Sequence, residues 1–264
     1  MKAQYAVIGN PVAHSKSPWI HAEFARETGQ DIDYGRIEAP VAGFAAAVEA
    51  FRAAGGKGLN VTLPFKQDAY RYCARTTPRA AAARAVNTLV FGEEVFGDTT
   101  DGVGLIRDIE GNLALPLAGK RVLLMGAGGA AQGVLAALLD ARVASLVIAN
   151  RTVERAQALA ARFPGVSASP YEALGGSFDV VIDATSAGLG DAPLPLPEGI
   201  LGRGVLAYAM VYGRETAFLA AARAAGALAC DGLGMLVEQA AESFFIWRGV
   251  RPGTRSVLAR LRAA

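Results

Sequence analysis

The feature that most restricts the fold of this chain is a buried strand that runs directly into a glycine turn and then a helix. The apolar strand covers residues 121–125, Gly126, Gly128 and Gly129 form the turn, and the helical pattern includes Val134 to Leu139. Glycine tolerates the positive φ that such turns need, and the helix that follows offers its first N–H groups to an anion. The spacing is typical of the first strand, turn and helix of a doubly wound α/β sheet.

The rest of the chain has the alternation of elements that an α/β fold with a largely parallel sheet requires. Short apolar runs alternate with alanine-rich helical patterns almost from end to end. Before the turn, the pattern predicts strands near 4–9, 32–38, 57–62 and 86–91, helices near 17–28, 41–54 and 64–74, and a hairpin return near 92–98. After it, the pattern predicts strands near 145–149, 178–184 and 204–209, helices near 153–162 and 215–225, and a helical tail.

The pattern also indicates two domains. It restarts at residues 115–120, immediately before the strand that enters the glycine turn. The tail from Met235 onward is amphipathic and clusters aromatic residues at 244–247, so it needs a hydrophobic partner surface. Periodicity alone does not say which domain supplies that surface.

Composition excludes several classes of protein. Of 264 residues, 52% are hydrophobic and 19% charged, which argues against disorder. The 26 basic and 24 acidic residues are spread without a basic run, so we expect no nucleic-acid partner. Two cysteines lack metal-ligand spacing, which fits a reducing compartment. With neither a signal-like apolar stretch nor a membrane span, we expect a cytoplasmic protein.

The glycine turn and the strand that follows it predict a dinucleotide site. Gly126 permits the turn, Gly128 lets the backbone approach a pyrophosphate, and Ala131 fills a small packing position. No carboxylate for a ribose 2′-hydroxyl follows the next strand, whereas Arg151 and Arg155 could clamp a 2′-phosphate. This favours NADP over NAD. The alternatives are a turn that serves only strand-to-helix packing and two arginines that are merely solvated.

Three polar segments of the first hundred residues, 9–18, 58–66 and 86–88, are candidates for a substrate site. Strand alternation puts Asn60 and Thr62 on one face, with Lys66 following shortly after. Hydroxyls, amides and one ammonium suit a small polyhydroxylated acid, because Ser, Thr and Asn both donate and accept. Taken singly, each of these residues is typical of turns and caps.

Together these segments resemble the shikimate dehydrogenase family, in the same order and over nearly the whole chain. The motifs that carry the resemblance are Gly9-Asn10-Pro11, Ser15-Lys16-Ser17-Pro18, Asn60-Val61-Thr62-Leu63-Pro64-Phe65-Lys66, Ala85-Val86-Asn87-Thr88, Thr100-Asp101-Gly102-Val103-Gly104, Gly126-Ala127-Gly128-Gly129-Ala130, Asn150-Arg151-Thr152, Ala184-Thr185-Ser186 and Asp231-Gly232-Leu233-Gly234-Met235-Leu236 with Gln239.

The resemblance implies an NADP-dependent oxidoreductase that interconverts 3-dehydroshikimate and shikimate in aromatic amino acid (chorismate) biosynthesis. It implies a substrate-binding domain over residues 1–104, completed by C-terminal helices at 235–264, and a Rossmann-type NADP-binding domain over 105–234. The active site would lie in the cleft between them. A monomer and a homodimer are both open, and the expected partner is the small-molecule substrate.

The resemblance also implies roles for individual residues. Lys66 and Asp101 would form the catalytic pair. The substrate contacts would be Ser15, Ser17, Asn60, Thr62, Asn87, Asp101, Tyr212 and Gln239. The cofactor contacts would be Gly126, Ala127, Gly128, Gly129, Ala130, Asn150, Arg151, Thr152, Arg155, Met210 and Gly232.

In our mechanistic hypothesis, the cofactor carries the hydride and Lys66 transfers the one proton of the reaction. Lys66 would protonate the developing alkoxide during reduction, and Asp101 would hold it in place and bind a substrate hydroxyl. The alternative is a solvated lysine and a helix-capping aspartate before residues 102–106.

Three positions depart from the family pattern. Thr99 stands where an Asn usually precedes Thr-Asp-Gly, Ala209 stands where an Asp usually precedes Met-x-Tyr, and Pro78 replaces a commonly acidic residue. Because Ala209 precedes the expected nicotinamide contact Met210, cofactor affinity is the property that these changes would affect most.

Two other functions compete with this interpretation. A quinate/shikimate dehydrogenase that uses NAD would carry an acidic residue near Arg151 and a threonine in the Ser15/Ser17 pair, and the chain has neither. A silent paralogue would bind nucleotide and a shikimate-like ligand without turnover, and the retained Lys66 and Asp101 argue against it.

Overall fold

The computed structural model describes residues 2–185 and 196–263. The chain forms two compact units, one of Met1–Gly104 with Leu236–Ala264 and one of Leu105–Met235. Ser186, part of a motif named above, lies outside the described residues.

The first unit is built on a mixed sheet with helices. Its strands are β1 (Ala3–Gly9), β2 (Ile32–Glu38), β3 (Gly58–Val61), β4 (Arg75–Thr76), β5 (Thr88–Phe91) and β6 (Val95–Asp98), and its helices before residue 100 are α1 (Ser17–Thr28), α2 (Phe44–Ala53), α3 (Lys66–Tyr72) and α4 (Pro78–Ala83). The strand order is β2-β1-β3-β5-β6-β4. β1 pairs in parallel with β2 and β3, whereas β5 pairs antiparallel with β3 and β6. The predicted hairpin return is therefore confirmed.

Local sequence explains where α1 begins and ends. Pro18 occupies its first turn, where a missing N–H costs nothing. The helix ends at Gly29, whose φ of 65° lets its N–H bond to the carbonyl of Ala25. Between these ends, the buried Ile20 and Phe24 give the helix an apolar face. The helix thus holds Ser17, at its first position, in a fixed place.

The second unit is a parallel sheet flanked by helices. Its strands are β7 (Arg121–Met125), β8 (Ser145–Ala149), β9 (Val166–Ser169), β10 (Val180–Asp183), β11 (Leu206–Ala209) and β12 (Leu228–Cys230), and its helices are α6 (Gly129–Asp140), α7 (Val153–Ala160) and α8 (Ala217–Ala224). Helix α5 (Asp101–Ile106) leads into this unit and continues as a π-helical turn, Arg107–Asn112.

The strand order of the second unit is β12-β11-β10-β7-β8-β9. Numbered within the unit, this is the 3-2-1-4-5-6 order of dinucleotide-binding folds, and it reverses between β7 and β10. The predicted α/β class and Rossmann-type second domain are confirmed. The edge strands β9 and β12, and the short β4, were not predicted, because half-exposed strands of two to four residues carry little apolar pattern.

The C-terminal helices find their partner surface in the first unit. They are α9 (Leu233–Arg248) and α10 (Arg255–Ala263). Trp247 donates its Nε1–H to the carbonyl of Leu89 at 2.9 Å and stacks on Tyr5 with ring centroids 4.6 Å apart. Phe244 is fully buried and packs edge-on against Phe24. None of the helices in the described part of the chain is long and apolar enough to cross a membrane.

Candidate active site

A close ion pair lies in the first unit between the ends of two helices. Lys66 begins α3 and Asp101 begins α5, and Lys66 Nζ lies 2.5 Å from Asp101 Oδ2. The two side chains keep only 16% and 7% of their surface exposed. The two side chains are therefore not the solvated lysine and the helix-capping aspartate of the alternative interpretation.

Asn87 connects the aspartate to its neighbours. Its amide donates to Asp101 Oδ1 at 2.9 Å, to Thr100 Oγ1 at 2.9 Å and to Gln239 Oε1 at 3.3 Å. Its carbonyl oxygen accepts from the Thr100 backbone N–H and from Thr88 Oγ1, both at 2.9 Å. Both oxygens of Asp101 are therefore engaged, one by Lys66 and one by Asn87, which fixes the carboxylate in place.

Asn60 joins the same network through a residue that the sequence analysis missed. The Asn60 amide donates to Ser243 Oγ at 3.0 Å, and Ser243 also contacts Thr88 Oγ1 at 2.8 Å and Thr100 Oγ1 at 3.2 Å. Ser243 is fully buried. It lies four residues after Gln239 on α9, so helical spacing places both on one face, and this was the available signal.

The serine pair forms a second part of the site, beside an arginine that was also missed. Ser15 and Ser17 are 9% and 6% exposed, and the Ser17 N–H donates to Ser15 Oγ at 3.3 Å. Arg36 donates to the carbonyl of Ser15 from Nη2 at 2.6 Å and from Nε at 3.2 Å. Thr62, half-buried, donates its backbone N–H to the carbonyl of Ile8 at 2.9 Å.

Tyr34 and His21 support the position of Asn60. The Tyr34 hydroxyl donates to Asn60 Oδ1 at 2.7 Å, and the ring of His21 stacks on Tyr34 with centroids 4.2 Å apart. Neither ring nitrogen of His21 has a hydrogen-bond partner in the described parts of the chain. Complete burial lowers the pKa of His21 to about 3, although the nearby Asn60 amide partly opposes this. His21 is thus a neutral packing residue.

A buried charge network holds the chain just before Asp101. Arg79 donates to both carboxylate oxygens of Asp98, at 2.7 and 2.6 Å, and lies 3.6 Å from Glu242. Asp98 Oδ1 also accepts from the backbone N–H of Thr99 at 2.7 Å. The Thr99 hydroxyl is buried without a hydrogen-bond partner among residues 2–185 and 196–263. At this departure from the family pattern, Asp98 therefore fixes the backbone, while the threonine hydroxyl contributes no hydrogen bond within the described residues.

The glycine turn of the second unit fits a dinucleotide. Gly126 has a φ of 102° and donates its N–H to the carbonyl of Ala149 at 2.7 Å. A Cβ on Gly126 would lie 3.0 Å from the carbonyl oxygen of Ala184, whereas a Cβ on Gly128 or Gly129 would meet nothing within 4 Å. The backbone around Gly128, Gly129 and the adjoining Ala127 and Ala130 is thus accessible at the start of α6. Open space before a helix N-terminus accommodates a pyrophosphate.

The end of β8 presents two exposed arginines. Asn150 donates its side-chain amide to the carbonyl of Thr152 at 2.8 Å, which shapes the entry to α7. Arg151 and Arg155 are exposed, and within the described residues neither forms an ion pair. Two guanidinium groups without acidic partners fit a 2′-phosphate and leave no acceptor for a 2′-hydroxyl.

The remaining predicted contacts belong to the second unit. Gly232 donates its N–H to the carbonyl of Val211 at 3.0 Å, and the backbone of Met210 leaves no room for a Cβ on Gly232. Tyr212 is half-buried in this unit. The structure therefore brings Asn60, Lys66, Asn87, Asp101 and Gln239 into one network and places Met210, Tyr212 and Gly232 in the other unit.

Comparison with protein-family models gives three matches along the chain. Residues 7–89 match the shikimate dehydrogenase substrate binding domain, and residues 110–189 match shikimate / quinate 5-dehydrogenase. Residues 232–262 match the shikimate 5′-dehydrogenase C-terminal domain.

Individual relatives cover the whole chain. The shikimate dehydrogenase (NADP(+)) of Dechloromonas aromatica is 59% identical over all of this chain and 98% of its own length. A solved Ael1 enzyme from Pseudomonas putida is 49% identical with a TM-score of 0.94, over 98% of each chain. The Thermus thermophilus shikimate 5-dehydrogenase, solved with NADP(H) and shikimate, is 33% identical with a TM-score of 0.88, over 99% of each chain.

Proposed function

Since the chain belongs to the shikimate dehydrogenase family, we propose that it is an NADP-dependent oxidoreductase that interconverts 3-dehydroshikimate and shikimate in aromatic amino acid biosynthesis. The observation that carries the proposal is the Lys66–Asp101 pair, 2.5 Å apart and set in a network of amides and hydroxyls. An acid–base group beside hydroxyl-binding side chains is what the reduction of a hydroxylated keto acid needs.

The substrate binds to the first unit through both parts of its site. Ser15 and Ser17 hold the carboxylate, and the adjacent Arg36 guanidinium makes that end of the site favourable for an anion. Asn60, Thr62, Asn87 and Gln239, together with Asp101, contact the ring hydroxyls. Tyr212 is a further substrate contact that the family resemblance implies.

Lys66 transfers the proton. NADPH, when bound, supplies the hydride to the carbonyl carbon of the substrate. The Lys66 ammonium donates its proton to the oxygen that becomes the alkoxide, and in the reverse direction the amine removes that proton from the hydroxyl. Asp101 orients the ammonium, and the partial exposure of Lys66 lets it exchange protons with solvent.

The second unit binds the cofactor. The turn formed by Gly126, Ala127, Gly128, Gly129 and Ala130, at the start of α6, would hold the pyrophosphate. Arg151 and Arg155 hold the 2′-phosphate, with Asn150 and Thr152 shaping that loop. Met210 and Gly232 contact the nicotinamide. The exposed arginines and the serine pair support NADP and shikimate over NAD and quinate.

The test is a rate assay with matched substrates. Purified protein is given shikimate and NADP⁺, and NADPH formation is followed by absorbance beside reactions with NAD⁺ and with quinate. Rapid turnover with shikimate and NADP⁺ alone is the expected result. Comparable rates with NAD⁺ or quinate would move the protein to the broader dehydrogenase group, and no turnover with any pair would contradict the proposal.

We also propose a cytoplasmic location, which the two free cysteines support. The expected partners are the small-molecule substrate and NADP. Both a monomer and a homodimer are compatible with this function.

A further inference from the structure

A buried carboxylate stands beside the glycine turn and has no role in the mechanism above. Asp183 ends β10 and is 1% exposed. Its Oδ1 accepts two hydrogen bonds from Thr185, one from the backbone N–H at 2.9 Å and one from the hydroxyl at 2.7 Å. Because a buried carboxylate is costly without such donors, these bonds restrict the conformation of residues 183–185.

The segment that Asp183 restrains packs directly on the turn. β10 is the neighbour of β7, and Asp183 is paired with Met125, the residue before Gly126. The approach is so close that a Cβ on Gly126 would lie 3.0 Å from the Ala184 oxygen and 3.3 Å from the Thr185 nitrogen. This is where the strand order reverses, the place at which parallel α/β sheets bind their ligands.

On its other side, Asp183 is paired with Ala209 of β11. Paired residues of neighbouring parallel strands point to the same face, and Val181, Ala207 and Ala209 share one core cluster. Asp183 and Ala209 therefore lie side by side on the face of the sheet that carries this cluster.

The surroundings of Asp183 identify what its carboxylate does. In the part of the chain that the structure describes, no basic side chain forms an ion pair with it, and the titratable group facing it is the buried Tyr171. Burial raises the pKa of Asp183, while the Thr185 donors oppose the shift. Its role is thus to accept hydrogen bonds from Thr185 rather than to pair with a cation.

We propose that Asp183 is a positioning residue for NADP, which fixes Ala184 and Thr185 against the Gly126 turn and so sets the space available to the pyrophosphate. This inference rests on the proposed NADP dependence.

The test is a titration of the full-length protein with NADPH, followed by nucleotide fluorescence, so that it needs no turnover. Asp183→Ala leaves both Thr185 donors unpaired, and we expect NADPH affinity to fall about tenfold. Asp183→Asn keeps an acceptor oxygen and should stay within about twofold of wild type. Shikimate affinity of the free protein should stay unchanged in both.

Asp179→Ala is the matched control. Asp179 precedes the same strand at its opposite end and forms an ion pair with Arg121. Its loss removes an aspartate from the domain without touching the turn, so NADPH affinity should remain at the wild-type value. Equal weakening by Asp179→Ala and Asp183→Ala would reduce the effect to general destabilisation and overturn the inference.

The most specific test restores a carboxylate with a second substitution and measures NADPH affinity again. We expect Asp183→Ala combined with Ala209→Asp to recover most of the lost NADPH affinity, because the new carboxylate faces the same segment. If Asp183→Ala does not fold, Thr185→Val tests the same contact, and we expect it to weaken NADPH binding several-fold. Wild-type affinity in a folded Asp183→Ala or Thr185→Val protein would overturn the inference.

The two proposals fail in different ways. Wild-type protein that binds NADPH but does not turn over shikimate contradicts the proposed function and leaves the role of Asp183 to be decided by the titrations. Wild-type protein that turns over shikimate, with Asp183→Ala equal to it in NADPH affinity, overturns the inference alone.

Discussion

The two units build their sites in different ways. In the first unit, side chains far apart in sequence meet: Asn87 bonds to Gln239 across 152 residues, and Asn60 bonds to Ser243 across 183. In the second unit, the turn is made from neighbouring backbone, where residues 126–128 lie between one strand and the helix that follows it. Substrate selectivity is therefore a property of tertiary structure, whereas cofactor binding is largely a property of local sequence.

The largest expected effect is a loss of kcat caused by a change in the first unit, without a matching change in cofactor binding. Lys66→Ala removes the proposed proton donor, so kcat should fall by about 10²–10⁴ while the KM for NADP⁺ stays near its wild-type value. Steady-state kinetics measures both. Lys57→Ala, which removes an exposed lysine just before β3, is the control and should be as active as wild type. Near-native turnover by Lys66→Ala would exclude its acid–base role.

The next effect concerns the second unit alone. Arg151→Ala removes the proposed charge-assisted bonds to the 2′-phosphate, so the KM for NADP⁺ should rise about tenfold or more while the weaker activity with NAD⁺ is unchanged. Arg203→Ala removes another exposed arginine of this unit and should leave the ratio of the two cofactors as in wild type. An equal loss of activity with NADP⁺ and with NAD⁺ would show that Arg151 does not bind the 2′-phosphate.

Ser243→Ala tests how far the long-range network of the first unit matters. It leaves buried donors of Asn60 and Thr88 without their shared partner, so the free energy of unfolding should fall by about 1–3 kcal/mol. Because Asn60 then loses one of the hydrogen bonds that hold its amide, the KM for shikimate should rise while the KM for NADP⁺ does not. Urea unfolding and steady-state kinetics measure the two quantities, with the exposed Ser145→Ala as control. An unchanged KM for shikimate would reduce Ser243 to a purely structural residue.

The effect that is smallest at neutral pH, and that grows only on acidification, is a pH dependence of stability that belongs to the first unit. His21 has a folded pKa of about 3, so below its unfolded value of 6.5 the unfolded chain binds a proton that the folded chain does not. The contribution of His21 is complete above pH 6.5 and is lost as the pH falls toward 3, by about 1.4 kcal/mol per pH unit.

Urea unfolding between pH 7.5 and 5 measures this slope. His21→Phe keeps an aromatic ring in the cluster and removes the titrating group, so its stability should fall less steeply with acid. His14→Gln, at the exposed histidine, should keep the wild-type slope. Identical slopes for wild type and His21→Phe would contradict the assignment.

The sequence predicts the second unit better than the first, because more of the second unit's site is formed by residues adjacent in sequence. The α/β class, β7, the glycine turn and the arginines after β8 are encoded by adjacent residues, and each could be located before the structure was known. Resemblance to a family supplied Lys66 and Asp101, whose pairing no local pattern shows. Ser243 and Arg36 were missed because their partners lie in other elements, although the spacing of Ser243 from Gln239 was a usable signal.

Edge strands and helix limits were the less predictable parts of the fold. The pattern placed a helix over 41–54, and α2 occupies Phe44–Ala53. The alanine-rich stretch after Pro78 forms only the short α4, because Arg84 adopts a left-handed conformation with φ 51°. Helix propensity extends across this stretch, but the return of the chain toward β5 ends the helix.

The division of the first unit between the two ends of the chain has a consequence for biosynthesis. During translation, residues 105–235 are synthesised before residues 236–263. Until α9 arrives with Gln239, Ser243 and Trp247, the hydrogen-bonding partners of Asn60, Asn87 and Leu89 are missing. A prematurely terminated chain can therefore contain the nucleotide-binding unit and still lack part of the substrate site. Enzyme activity consequently requires translation through α9 and α10.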